Sequence, residues 1–154
     1  MPRRYKANEM LCNLPLMARW IGIDYGLART GLAITDNQAM MAFPHETVPT
    51  SGIWEALESL VVAEPCAGFA LGMPDAWELK SSSTDSTAAI HTFQKQLKKK
   101  WPNLAVHIVD ESFTSREARQ AMVIGGMKKK KREVKGAMDR IAAALILQRF
   151  LETL

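Results

Sequence analysis

The chain has 154 residues, 47% of them hydrophobic and 23% charged, and carries a formal net charge of +4 at pH 7. That length suits one domain large enough to bury its own core, and the composition argues against a disordered or membrane class. Two cysteines, Cys12 and Cys66, are too few for a disulfide framework or a thiolate metal site, which fits a reducing, cytoplasmic setting.

The first 18 residues hold Arg3 and Arg4 and some apolar side chains, but Asn13 and Pro15 interrupt them, so a secretory signal is not expected. Residues 1–18 read as a poorly ordered N-terminal extension, with the folded domain over 19–154. In Trp20 to Thr35, Ile21 and Ile23 alternate with Gly22, and Leu32 and Ile34 with Ala33. Two apolar runs around a connection containing Gly26 and Gly31 predict an antiparallel hairpin. Asp24 ends the first of these strands. An ionised carboxylate there needs a cation, a metal or backbone N–H groups nearby, unless it merely caps its own turn.

A weaker third strand is expected over Met40–Pro44, ended by the proline, with Glu46 to Val48 following and a turn from Pro49 to Gly52. Ile53, Leu57, Leu60 and Val61 recur at helical spacing, predicting a helix from Ser51 to Glu64. Gly68–Gly72 is a short buried strand that stops at Met73-Pro74. The polar run Ser81 to Asp85 supplies helix caps ahead of Ala88–Lys99, and Ala105–Val109 is another strand, ending at Asp110-Glu111. Thr114 to Glu117 has the spacing of a capping box, so a helix should run from there toward Ile124. The final helix spans Ala137–Leu151. A meander followed by alternating strands and helices implies a mixed α/β sheet covered on both faces.

Three carboxylates stand at element ends: Asp24, Glu111 after the last strand, and Asp139 in the first turn of the final helix. Strand ends of an open sheet are where side chains from separate elements converge. Each also has an ordinary reading, Asp139 as a charge favoured by the helix dipole and Glu111 as a solvated strand end. Asp139 shares a helical face with Ala142, Ala143 and Ile146, small enough in part for close approach to the sheet. Hard oxygen donors of this kind suit magnesium or manganese. The histidines, His45, His91 and His107, make no ligand spacing. Metal-assisted phosphodiester hydrolysis fits this set, with two ions about 4 Å apart.

Lys128, Lys129, Lys130, Lys131 and Arg132 form a basic run between Gly125-Gly126 and Gly136. It reads either as a solvated charge run or as a phosphate-contacting loop. Lys98 to Lys100 has a simpler explanation, because cations are favoured at a helix C-terminus.

The run Asp24 to Gly31, then Gly72-Met73-Pro74, Asp110-Glu111 with Thr114 to Ala118, the basic loop, and Asp139 to Ala143 together resemble the YqgF family, also called RuvX. The resemblance covers Arg19 to the C-terminus. It implies an RNase H-like fold with a five-stranded sheet, an antiparallel three-strand meander plus two parallel strands, flanked by helices. It implies that Asp24, Glu111 and Asp139 are catalytic metal ligands, and that Arg29 and Lys128 to Arg132 lie near nucleic acid. Cleavage of the 5′ flank of precursor 16S rRNA is the implied task, with Holliday junction resolution as the alternative. The working unit is then a monomer, or a homodimer if a two-fold junction is the substrate. Two positions depart from the family pattern: Ser112 stands where an arginine usually follows Asp-Glu, and Asp75 to Glu78 replace an expected glycine. Both bear on substrate contacts more than on the carboxylates.

Two other classes compete. An Asp-Gly hairpin also opens the phosphate site of sugar kinases and actin-like ATPases, but those close two domains on a nucleotide and this length supplies one. A non-catalytic nucleic-acid-binding module would need only the basic surface.

Overall fold

The structure, a computed structural model, describes residues 18–74, 84–110 and 136–154. Residues 1–17 of the N-terminal extension, the helix expected from Thr114, and both departures from the family pattern lie outside the described residues. So do Glu111 and the Lys128 to Arg132 run.

Five strands form one sheet in the order β3-β2-β1-β4-β5: β1 (Arg19–Tyr25), β2 (Arg29–Thr35), β3 (Ala42–Pro49), β4 (Cys66–Met73) and β5 (Ala105–Asp110). The β1–β2 and β2–β3 pairs are antiparallel, while β1–β4 and β4–β5 are parallel. The described residues also form a short 3-10 helix (Thr50–Gly52) and three α-helices: α1 (Ile53–Ala63), α2 (Thr84–Lys100) and α3 (Ala137–Leu151). This is the expected meander plus two parallel strands, and the last helix has the expected bounds.

The third strand differs from its expectation. It does not stop at Pro44 but runs to Pro49, with a bulge where Leu32 faces Glu46 and Ala33 faces Pro44, leaving His45 as the extra residue. Pro44 is tolerated because β3 is an edge strand, where half of the N–H groups point away from the sheet, and because a bulge already interrupts the ladder.

Alternation along β1 sorts the two faces. Ile21 and Ile23 pack with Ile53 and Leu57 of α1 and with Ile90, Phe93 and Leu97 of α2, all essentially excluded from water. Each such side chain contributes about 1.5–3 kcal/mol by burial. Tyr25 continues this face and stacks on Phe93 with ring centroids 4.5 Å apart. Trp20, Gly22 and Asp24 alternate onto the opposite face, which α3 covers: Trp20 meets Phe150 at 4.5 Å, and Ala33, Ala70, Ala143 and Leu147 fill the contact. A β-carbon at Gly22 would lie 2.7 Å from both the Ala143 carbonyl oxygen and the Leu147 Cβ. The small residues of α3 and the glycines of the sheet thus set the close approach together.

Helix α1 ends where the sequence ends it. Pro65 forces Glu64 to extended backbone (φ −148°, ψ 157°), and the nearly buried Arg19 donates from Nη2 to the Leu60 carbonyl at 2.6 Å. A cation on terminal helix carbonyls is favoured by the helix dipole. At the end of α2, Lys100 pairs with Glu58 of α1 and lies 5.4 Å from the Trp101 ring centroid. Lys100 therefore serves packing between helices as well as the helix terminus.

Candidate active site

The site begins with a row of three residues across the meander. Asp24 of β1 is paired with Gly31 of β2, and Gly31 with Thr47 of β3. All three point to the α3 face. Helix α3 starts directly on this row. Thr47 donates its hydroxyl to the carbonyl of Gly136, the residue before the helix, which adopts the left-handed conformation that glycine alone takes without strain (φ 93°). Two residues into the helix, the carbonyl of Asp139 occupies the space a β-carbon at Gly31 would need. Directly opposed residues on neighbouring strands have β-carbons about 5 Å apart. The main chain of Asp139 therefore lies beside the strand pair that carries Asp24.

This arrangement corrects one sequence expectation. Gly26 makes the sharp turn between β1 and β2, where a β-carbon would overlap the Arg29 carbonyl, but Gly31 does not. It sits inside β2 and makes room for α3.

The turn itself is clamped from the end of β3. Thr50 donates through its backbone N–H to the Ala28 carbonyl at 3.0 Å and through its hydroxyl to the Gly26 carbonyl at 2.6 Å. The same oxygen is 2.9 Å from the hydroxyl of Thr30, which is completely buried. A buried hydroxyl without a partner would cost free energy, so this contact satisfies Thr30 while fixing the turn.

Arg29, the first residue of β2, donates from Nε to Oδ2 of Asp139 at 3.0 Å, with the two side chains 43% and 24% exposed. Sequence reasoning placed Arg29 near nucleic acid and missed this pair, because the partners are 110 positions apart. Asp139 has the helix N-terminus on one side and a guanidinium on another.

Asp24 and Asp139 are thus brought to one face of the sheet. Asp110 closes β5, two strands away from β1. Continuing the β1–β4 and β4–β5 registers puts Asp24 level with Gly72 and Val109. On the α3 face the residue between β1 and β5 at that level is Gly72, which has no side chain to fill the gap. Among the described residues, no group of three or more His, Cys, Asp or Glu side chains is gathered at metal-binding spacing; Glu111 lies outside them. His107 does not join the site, packing instead against Trp20 and Phe150 with centroids at 5.6 and 4.9 Å.

The fold matches solved resolvases. The chain superposes on Thermus thermophilus RuvC in complex with a Holliday junction substrate with a TM-score of 0.56 at 16% identity, covering 88% of this chain and 97% of that one. The fowlpox virus resolvase in complex with Holliday junction DNA gives 0.57 at 12% identity, covering 88% and 97%. Sheet order and helix placement define an α/β domain with the RNase H-like fold. The description of one family within it, "RuvX: Holliday junction resolvase", matches residues 18–153, and the chain belongs to that family of nucleases. Its relatives include a protein of Phocaeicola vulgatus named "Putative pre-16S rRNA nuclease", 40% identical over 89% of this chain and 97% of the relative. A protein of Bacteroides thetaiotaomicron with the same name is 37% identical over 89% and 98%.

Proposed function

We propose that the chain is a divalent-metal-dependent endonuclease that processes the 5′ end of precursor 16S rRNA in the cytoplasm. The observation that carries this reading is the seating of Asp139 over Gly31, which brings a helix carboxylate to the face and strand end that hold Asp24. Glu111, bonded to the last residue of β5, is the proposed third ligand.

The donor chemistry fits a hard cation. Asp24 and Asp139 offer carboxylate oxygens, and of the Asp139 pair Oδ2 is the one bonded to the Arg29 guanidinium. Magnesium and manganese are the ions such a set holds. When bound, a pair of ions would lower the pKa of a water molecule and stabilise the leaving oxygen of the phosphodiester. The chain's own residues do the rest. The main chain of Asp24 is held by strand pairing and that of Asp139 by the first turn of α3, so both carboxylates project from fixed positions. Arg29 and the Lys128 to Arg132 run would neutralise phosphates of the substrate, contacts that set affinity without reading sequence.

Support for rRNA comes from the names of the relatives at 37–40% identity. The family's description favours a second substrate, the four-way DNA junction. The same carboxylates would cut either, and a symmetric junction would call for a homodimer where a single RNA cut needs one site. A nuclease assay comparing precursor 16S rRNA with a four-way junction, with and without magnesium, tests both. Asp24→Asn, Glu111→Gln and Asp139→Asn should each abolish metal-dependent cleavage while circular dichroism stays that of the wild type. Full activity in any two of them overturns the ligand assignment. Replacing Lys128 to Arg132 with glutamine should weaken binding and flatten its salt dependence.

A further inference from the structure

Arg29 is a cation that the structure places on a proposed metal ligand, and it does so with one donor. The bond to Asp139 Oδ2 uses Nε alone, at 3.0 Å. A guanidinium has five N–H donors in a planar fork, so the edge formed by its two terminal nitrogens remains to be used elsewhere. The base of the side chain is rigid: Arg29 opens β2 opposite Pro49, and Thr50 clamps Ala28 and Gly26 just before it. The main chain of Asp139 is equally fixed by its contact with Gly31. With both backbones held, the pair controls what is left to vary, the rotation of the Asp139 carboxylate. The bond to Arg29 takes Oδ2 of that carboxylate.

We propose that Arg29 is a bridging residue: its Nε holds the Asp139 carboxylate in the rotation that presents Oδ1 to the metal, while its terminal nitrogens take a phosphate of the strand being cut. This rests on the metal-dependent nuclease reading above and assigns one side chain to both the ligand and the substrate. It makes Arg29 a positioning residue for Asp139. Planar, forked geometry is what lets arginine serve two acceptors at once, and lysine, a point charge, cannot replace it.

The two roles separate by substitution. In glutamine the side-chain amide nitrogen stands the same number of bonds from the backbone as Nε of arginine, so Arg29→Gln keeps a donor toward Asp139 and loses the phosphate edge. Arg29→Lys keeps a cation for phosphate and puts a carbon where Nε was. Two readouts are needed: manganese affinity of the protein without nucleic acid, from the electron paramagnetic resonance of free Mn2+, and anisotropy of a fluorescein-labelled RNA hairpin in EDTA across a salt series. Arg29→Lys should weaken manganese binding about tenfold or more, the usual effect of losing a residue that orients a ligand, and leave the salt slope of RNA binding unchanged. Arg29→Gln should bind manganese at least as well as the wild type, because a repelling charge has gone, yet its salt slope should fall by about 0.7 to 0.9, the equivalent of one phosphate. Wild-type manganese affinity in Arg29→Lys, or a wild-type salt slope in Arg29→Gln, overturns the bridge. Asp139→Asn serves as the reference. If it loses manganese while Arg29→Lys does not, only the bridge fails; if it binds manganese as the wild type does, the metal-ligand reading fails and takes the bridge with it.

Discussion

Gly31 and Asp139 meet main chain to main chain: the carbonyl of Asp139 occupies the space that a β-carbon at position 31 would take. The three atoms nearest to that position are all backbone, from Asp139 and from the amide of Arg140, so relief cannot come from the swing of a side chain. The consequence is that a residue in the middle of a strand sets the position of a carboxylate on a helix.

Gly31→Ala should therefore force the start of α3 away from the sheet. Overpacking costs about 1–3 kcal/mol where the surroundings can adjust, and here the cost should reach the upper end of that range. Urea denaturation measures the loss, and nuclease activity should fall by more than the folded fraction does. A variant with wild-type stability and activity would contradict the seat described for Asp139.

Gly52 provides the contrast. A β-carbon there meets nothing within 4 Å, and its backbone (φ −102°, ψ 10°) is open to other residues. Gly52→Ala should leave stability unchanged or raise it by up to about 1 kcal/mol, through the reduced freedom of the unfolded chain. The same denaturation experiment reads this directly.

The Thr30 and Thr50 hydroxyls, 2.9 Å apart, are coupled. Thr50→Val strands the completely buried Thr30 hydroxyl and frees the Gly26 carbonyl, at a cost of about 1–3 kcal/mol. Thr30→Val with Thr50→Val removes the stranded donor, so the double variant should be less destabilised than the two single losses added together. Strict additivity in the cycle would mean that the contact holds nothing in place.

Burial pushes the Cys66 thiol above its ordinary pKa, and a backbone hydrogen bond with Gly68 and the Arg19 charge only partly offset this. Less thiolate is then present at neutral pH, and the thiolate is the nucleophile. Peptide-resolved alkylation with iodoacetamide should find Cys66 slower than a free thiol at pH 7, with its rate still rising at pH values where a free thiol has levelled off. The linkage has a definite sign: the folded state holds this proton more tightly, so stability is complete below the pKa of the unfolded thiol and declines as pH rises past it.

Much of the fold was legible in the residues themselves. Alternation in Ile21 to Ile23 and Leu32 to Ile34 specified the first two strands, and small residues on one face of α3 announced a close approach to the sheet. Pro44 misled because its effect depends on strand position: the same proline that would break a central strand is harmless at a bulge on an edge. Gly31 could have been recognised, since glycine inside a strand marks close approach of another backbone. Nothing local said which backbone it was.

The sequence by itself determined which carboxylates, Asp24 and Asp139, stand at the ends of a strand and a helix, because local periodicity and caps are encoded by near neighbours. Only the tertiary structure decided that the two share a face, that Thr47 and Gly31 seat the helix between them, and that Arg29 reaches Asp139 across 110 positions. Such contacts depend on strand register and on how near a helix can come to a sheet, quantities set by the packing of the whole core and carried by no single segment.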